Sequence, residues 1–247
     1  MDLGLTGKVF VVTAASGGLG RATADALVAD GAQVVLVARG QDKLAAAAES
    51  LGEAAVPLAA DLADPSVGER AVRLALDHFG RLDGAFISVG GPPKGGALEN
   101  TDAQWLAAFE SVFLAAVRVT RAVIDGAPGP VRLAYVLSTS VKSPIPGLAI
   151  SNGLRPGLAM WVKQLANEIG PSGSRAVGLL PGTIDTERIQ TVYDSDAKRA
   201  ANAASIPLGR FGQPAEFGKV AAFALSDAGS YLNGSMIAVD GGFLQTL

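Results

Sequence analysis

The chain has 247 residues, 49% of them hydrophobic, no cysteine and a formal net charge of -3. That length and an Ala-, Val-, Leu- and Gly-rich composition describe a globular protein with a large core and exclude a disordered one. The charge balance gives no footing for nucleic acid as a partner, and the missing cysteines exclude a disulfide framework and thiol catalysis. Residues 1–10 do not read as a secretory signal, and no run approaches the roughly 18 apolar residues of a membrane span. The expectation is a cytoplasmic protein with no membrane partner.

The β-branched run KVFVVT (8–13) predicts a first strand. GRATADALVADG follows as a helix with Ala22, Ala26 and Ala29 on one side and Gly31 as its stop. AQVVLVAR is the second strand, QDKLAAAAESL the second helix, and EAAVPLAADL a third strand. Pro57 inside that strand has no N–H for a ladder, so the strand belongs at an edge. PSVGERAVRLALDHFG is helical and LDGAFISVG is the fourth strand. A long helix is predicted over Asp102–Ile124, then the fifth strand VRLAYVLSTS, a helix over Asn152–Ile169, and the strands RAVGLLPG and SMIAVDGG. Strand–helix alternation of this kind builds βαβ crossovers and a parallel sheet covered on both faces. The chain reads as one doubly wound α/β domain over residues 1–247, with a mostly parallel sheet of seven strands. In such a sheet ligands bind beyond the carboxyl ends of the strands, near the point where strand order reverses.

Between the first strand and the first helix lies TAASGGLG, Thr13–Gly20. A phosphate-binding turn needs glycines for a tight turn, for close backbone approach to the phosphates, and for packing of helix on strand. The amides and dipole of the helix start then favour an anion. Gly17, Gly18 and Gly20 supply most of this, while Ala14 takes the tight-turn position. If that position needs a positive φ, alanine costs on the order of 1 kcal/mol, a weakening and not a veto. A tight structural turn without ligand would leave a similar signature.

Taken together, TAASGGLG, DLAD after the third strand, PGTIDT after the sixth and VDGG near the end resemble the short-chain dehydrogenase/reductase family along the whole chain. The resemblance implies a Rossmann-type domain, a nicotinamide cofactor and a homotetramer or homodimer with the long helices at residues 102–124 and 152–169 packed between subunits. Their apolar stripes serve equally well inside one subunit. By the same resemblance the cofactor would be held by Ser16, Gly18, Leu19 and Gly20 in the turn, Asp61 and Leu62 after the third strand, and Gly90 after the fourth. Arg155 and the segment Pro181, Gly182, Thr183, Ile184 and Thr186 would complete the cofactor site.

NAD readers usually end the second strand on an acid that bonds the ribose 2′-hydroxyl. Here that position is Ala38, followed by Arg39, whose guanidinium pairs with a 2′-phosphate. The residues favour NADP(H) over NAD(H), although an arginine there also fits an ordinary solvated surface. Asp61 fits the start of a turn as well as an adenine contact.

The family's catalytic set is an Asn, a Ser, and a Tyr with a Lys four residues later. Spacing places Ser138 at the serine position, but Ser151 at the tyrosine, Arg155 at the lysine and Val112 at the asparagine position. Serine is a far weaker acid than tyrosine and needs an adjacent base. Arginine cannot give up its proton as a base. Lys142, four residues after Ser138 in a loop stiffened by Pro144 and Pro146, is the first candidate for a replacement proton donor, on the expectation of partial desolvation. Tyr193 is a second candidate, better read as an apolar contact. His78 falls at the wrong end of the sheet and reads as structural. No His, Asp or Glu cluster has metal-ligand spacing, so no metal is expected.

Three readings remain open on the sequence. One is an NADP(H)-dependent reductase of a small organic molecule, with Ser138 holding the carbonyl oxygen and Lys142 or water giving the proton. Another is a non-redox enzyme performing proton transfer, elimination or cyclisation, with no cofactor consumed in turnover. The third is a non-catalytic nucleotide-binding protein.

Overall fold

The computed structural model describes residues 2–246. Its strands are β1 (Val9–Thr13), β2 (Gln33–Ala38), β3 (Ala55–Ala59), β4 (Gly84–Ile87), β5 (Arg132–Val136), β6 (Arg175–Pro181) and β7 (Met236–Val239). They form one sheet in the order β3-β2-β1-β4-β5-β6-β7, and every neighbouring pair is parallel. β3 pairs only with β2, so Pro57 lies on an edge strand, where its missing N–H is tolerated.

The pleat sorts each strand between two cores. Val9, Val11, Val35, Val37, Ile87 and Tyr135 face one layer, while Phe10, Val12, Val34, Leu36 and Phe86 face the other. The first layer is closed by α3 (Val67–Phe79), α5 (Ala115–Gly126) and α6 (Ala149–Ile169). The second is closed by α1 (Gly18–Ala29), α2 (Gln41–Leu51) and α9 (Pro214–Leu225). Burial on both faces is why the inner strands β1, β2, β4, β5 and β6 read as largely unbroken apolar runs and not as alternation, while the edge strands β3 and β7 are only partly buried.

Several elements depart from the sequence reading. Of the expected alanine side of α1, Ala22 is buried, Ala26 is partly buried against the core and Ala29 is exposed; the helix turns Gly20, Thr23, Ala24 and Leu27 to the core. This i, i+3, i+4, i+7 stripe includes a threonine whose hydroxyl is satisfied by the Leu19 carbonyl at 2.8 Å, which hid it from an apolar pattern. The long helix is continuous from Asp102 but passes from α4 (Asp102–Ala108) through a π-helical segment, Phe109–Leu114, into α5. α6 starts at Ala149, three residues before the expected Asn152. Helix α9 was not anticipated, although Pro214 in its first turn and the reciprocal Gln213/Glu216 capping box mark its start. It packs closely on α1: a Cβ at Gly218 would sit 2.7 Å from the Ala22 carbonyl carbon. No helix among the described residues is long and apolar enough to cross a membrane.

Candidate active site

Strand order reverses at β1, which pairs with β2 on one side and β4 on the other. The Thr13 hydroxyl fastens this switch point. It accepts from the Ser88 N–H at 2.7 Å and donates to the Ser88 carbonyl at 2.7 Å. The chain then turns sharply. Ala14 has φ +52°, the one non-glycine residue in the left-handed region among those described, so the strain anticipated for this position is present. Gly18 has φ +55°. A Cβ on Gly20 would lie 2.7 Å from the Thr13 oxygen and 2.7 Å from the Ala14 carbonyl carbon, so only glycine lets α1 settle onto the end of β1. The N-terminus of α1 has no side-chain cap and no acidic residue in its first turn. Its leading amides are therefore left for a ligand or water.

The segment after β6 closes on this turn. The Gly182 amide donates to the Val239 carbonyl at 3.0 Å, and buried Ile184 is held between Gly212 N–H···Thr183 O (3.0 Å) and Asp185 N–H···Gly212 O (2.8 Å). Thr186 then places its methyl 3.5 Å from where a Gly18 Cβ would stand. The structure thus brings together the glycine turn and the PGTIDT segment singled out in the sequence. α7 (Glu187–Val192) and α8 (Asp196–Ala204) follow. Arg39 is exposed at the end of β2 and has no hydrogen bond or ion pair among the described residues. The Asp61 carboxylate accepts from the Ala63 N–H at 3.0 Å, the geometry of a turn starter.

β5 stops at Val136, short of the predicted strand, and Ser138, two residues further on, is extended and caps the short turn Thr139–Val141. Its oxygen accepts from the Ser140 N–H at 3.0 Å, which leaves the hydroxyl proton available to an incoming acceptor. Ser151 and Arg155 are both buried, one turn apart on α6. The Arg155 guanidinium donates to the Val136 carbonyl at 2.7 Å and the Gly90 carbonyl at 3.3 Å, joining the ends of β5 and β4. Burial, with a smaller contribution from the nearby Arg188 charge, lowers its pKa to about 10, so it remains a cation at neutral pH. The loop before α6 is held by Asn152, whose side chain accepts from the Ile145 N–H (3.1 Å) and donates to the Ile145 carbonyl (2.9 Å).

Other candidates are placed less favourably. Lys142 is exposed, so the partial desolvation expected for it is absent. Tyr193 packs on Phe211 with ring centroids 5.4 Å apart. His78 is exposed in the last turn of α3, edge-on to Phe79. Val112 is buried within the π-helical segment. Two residues at the site were not foreseen. The Ser140 hydroxyl is buried with no partner, and Arg188 lies over Gly91, where a Cβ would overlap its guanidinium. Nothing in the local sequence of either marks it, since both positions follow from how loops fold back.

The comparisons with known proteins agree with this frame. A family model described as enoyl-(acyl carrier protein) reductase matches residues 13–244. The chain is 31% identical over 246 residues to a 2,5-dichloro-2,5-cyclohexadiene-1,4-diol dehydrogenase of Sphingobium indicum, covering 97% of this chain and 98% of that protein. It is 30% identical over 253 residues to an L-rhamnose 1-dehydrogenase (NAD(P)(+)) of Azotobacter vinelandii, covering 98% and 99%. Among solved structures, the L-sorbose reductase of Gluconobacter frateurii complexed with NADPH and L-sorbose superposes with TM-score 0.93 at 31% identity over the whole of both chains. The chain belongs to the short-chain dehydrogenase/reductase family of oxidoreductases.

Proposed function

We propose that this chain interconverts a carbonyl and an alcohol on a small organic molecule, using NADP(H) as the hydride carrier. The observation that carries the reading is the uncapped, acid-free N-terminus of α1, pressed onto β1 by Gly20 and facing Thr186 across the crevice. That arrangement fits a dinucleotide pyrophosphate. Arg39, exposed and unpaired after β2, fits a 2′-phosphate. The NADPH complex of the sorbose reductase supports the same choice.

A bound nicotinamide would supply or accept hydride at the substrate carbon. In the reducing direction the Ser138 hydroxyl donates to the substrate oxygen, and Ser151 offers a second hydroxyl from α6. Arg155 keeps its proton, so it stabilises charge developing on that oxygen and does not act as a base. The carbon gains hydride and the oxygen gains a proton, which water or Lys142 provides. Ser151 and Arg155, standing where the family carries Tyr and Lys, make this an atypical proton delivery. The same two residues favour a second reading, a non-redox enzyme that binds nucleotide without consuming it. Assembly through α4–α6, where Leu106, Phe109 and Met160 are exposed, belongs to the first reading.

The test is NADPH consumption at 340 nm across a carbonyl panel, with Ser138→Ala and Lys142→Ala. Turnover that falls at least about tenfold in Ser138→Ala supports the assignment. A Lys142→Ala rate equal to wild type assigns the proton to water. Cofactor binding without turnover of any carbonyl or alcohol supports the non-redox reading instead.

A further inference from the structure

Two arginines, Arg188 and Arg155, both reach the Gly90–Gly91 turn beyond β4, and neither forms an ion pair among the described residues. Arg188, near the start of α7, lays its guanidinium over Gly91. Arg155 reaches the Gly90 carbonyl at 3.3 Å from α6. The carboxylates flanking Arg188 in sequence are both engaged elsewhere: Asp185 with Arg199 at 2.7 Å, and Glu187 with Lys43 at 3.0 Å. Arg188 itself has no ion pair or side-chain hydrogen bond among the described residues. Arg155 is 5% exposed, and its hydrogen-bond partners are two neutral carbonyls. Arg155 is thus a buried cation without an ion pair, and the exposed Arg188 cation beside it adds repulsion that a bound anion would relieve.

The direction of the Arg188 side chain decides which anion. Thr186 faces the glycine turn, where phosphates would lie. Two residues later Arg188 instead covers Gly91, beyond the end of β4, on the side where Arg155 joins β4 to β5. Resting on the reductase reading, we propose that the substrate carries a carboxylate near its reacting carbonyl, gripped by Arg188 above Gly90–Gly91 with the Arg155 cation behind it. The planar guanidinium matches a carboxylate in fork geometry. Gly91 leaves the space this requires, since any larger residue would displace Arg188.

The experiment uses matched acid and methyl-ester probes: pyruvate, acetoacetate and levulinate against methyl pyruvate, methyl acetoacetate and methyl levulinate. They set the carboxylate at three distances from the ketone. NADPH consumption gives kcat/KM, and calorimetric titration of the NADP⁺-loaded protein with the three acids reads binding without turnover. At least one acid should exceed its ester about tenfold in kcat/KM. Arg188→Gln should abolish that preference and Arg188→Lys should keep part of it, with NADPH affinity unchanged within about twofold. Esters equal to acids in every pair would overturn the proposal. So would an Arg188→Gln variant that loses NADPH affinity but keeps the acid preference, since Arg188 would then serve the cofactor. If no carbonyl turns over, the reductase reading fails separately. Carboxylate binding that disappears in Arg188→Gln would still establish the anion site, and no binding would remove it.

Discussion

Ala14→Gly isolates the strain at the head of the nucleotide turn. Ala14 sits at φ +52°, where an L-residue costs about 1 kcal/mol and glycine almost nothing. Glycine gives back about 0.5–1 kcal/mol through the greater freedom of the unfolded chain. Losing a half-buried methyl removes roughly another 0.4 kcal/mol, half the value of a buried methylene. The contributions nearly cancel, leaving a net change within about 0.5 kcal/mol of zero. Its neighbour Ala15 is fully buried and lies outside the left-handed region, so Ala15→Gly has no strain to relieve. It should lose about 0.5–1 kcal/mol of backbone entropy and roughly 0.8 kcal/mol of burial. For a chain of this size each kcal/mol is about 2–4 °C in Tm. Thermal unfolding should therefore show Ala14→Gly within about 2 °C of wild type and Ala15→Gly roughly 3–7 °C lower. Equal losses in the two variants would refute the strain argument.

Two further outcomes follow from the geometry. Gly20→Ala drives a Cβ into the backbone of Thr13 and Ala14, which cannot rotate away, so α1 must lift; we expect a loss of about 1–3 kcal/mol in denaturant unfolding and at least tenfold weaker nucleotide binding. Unchanged binding would contradict the role given to that contact. Arg210 grips Glu216 with two hydrogen bonds, 2.7 and 2.8 Å, and with the Gln213 amide lowers the Glu216 pKa from its usual value to about 2. Because the folded-state pKa is depressed, this stabilisation is present above pH ~4.5 and fades as pH falls towards 2. Glu216→Gln should lower Tm at pH 7, and the gap to wild type should narrow between pH 4.5 and 3. A pH-independent gap would show that the pair does not act through this titration.

What the sequence revealed and what it hid divide along physical lines. Strands buried on both faces announce themselves as apolar runs, and glycines at close backbone contacts mark the turn after β1. Pro57 located its own edge. Helix α9 was missed because its core-facing side is mostly Ala and Gly, with Phe217 near its start and Leu225 at its end as the large apolar residues, and its start is signalled only by capping residues. The stripe on α1 was read only in part: Ala22 and Ala26 do pack inward, but Thr23 went unseen because its hydroxyl is hidden in a bond to the preceding turn. At the site, the placement of residues on one helix or just past one strand was legible: Ser151 and Arg155 fall one turn apart on α6, and Ser138 falls two residues beyond β5. Arg188 was not, since its contact with Gly91 spans nearly a hundred residues and depends on how the segment after β6 folds back. The desolvation expected of Lys142 failed for a similar reason, because only the fold decides whether a loop side chain turns inward.

The most direct test of the account is calorimetric titration of the purified, cofactor-stripped protein with NADPH and with NADH. We predict micromolar NADPH binding, at least tenfold tighter than NADH, with the difference erased in Arg39→Glu. Failure to bind either nucleotide would contradict the reading of the α1 N-terminus as a dinucleotide site, and with it the assignment of this chain as a hydride-transferring enzyme.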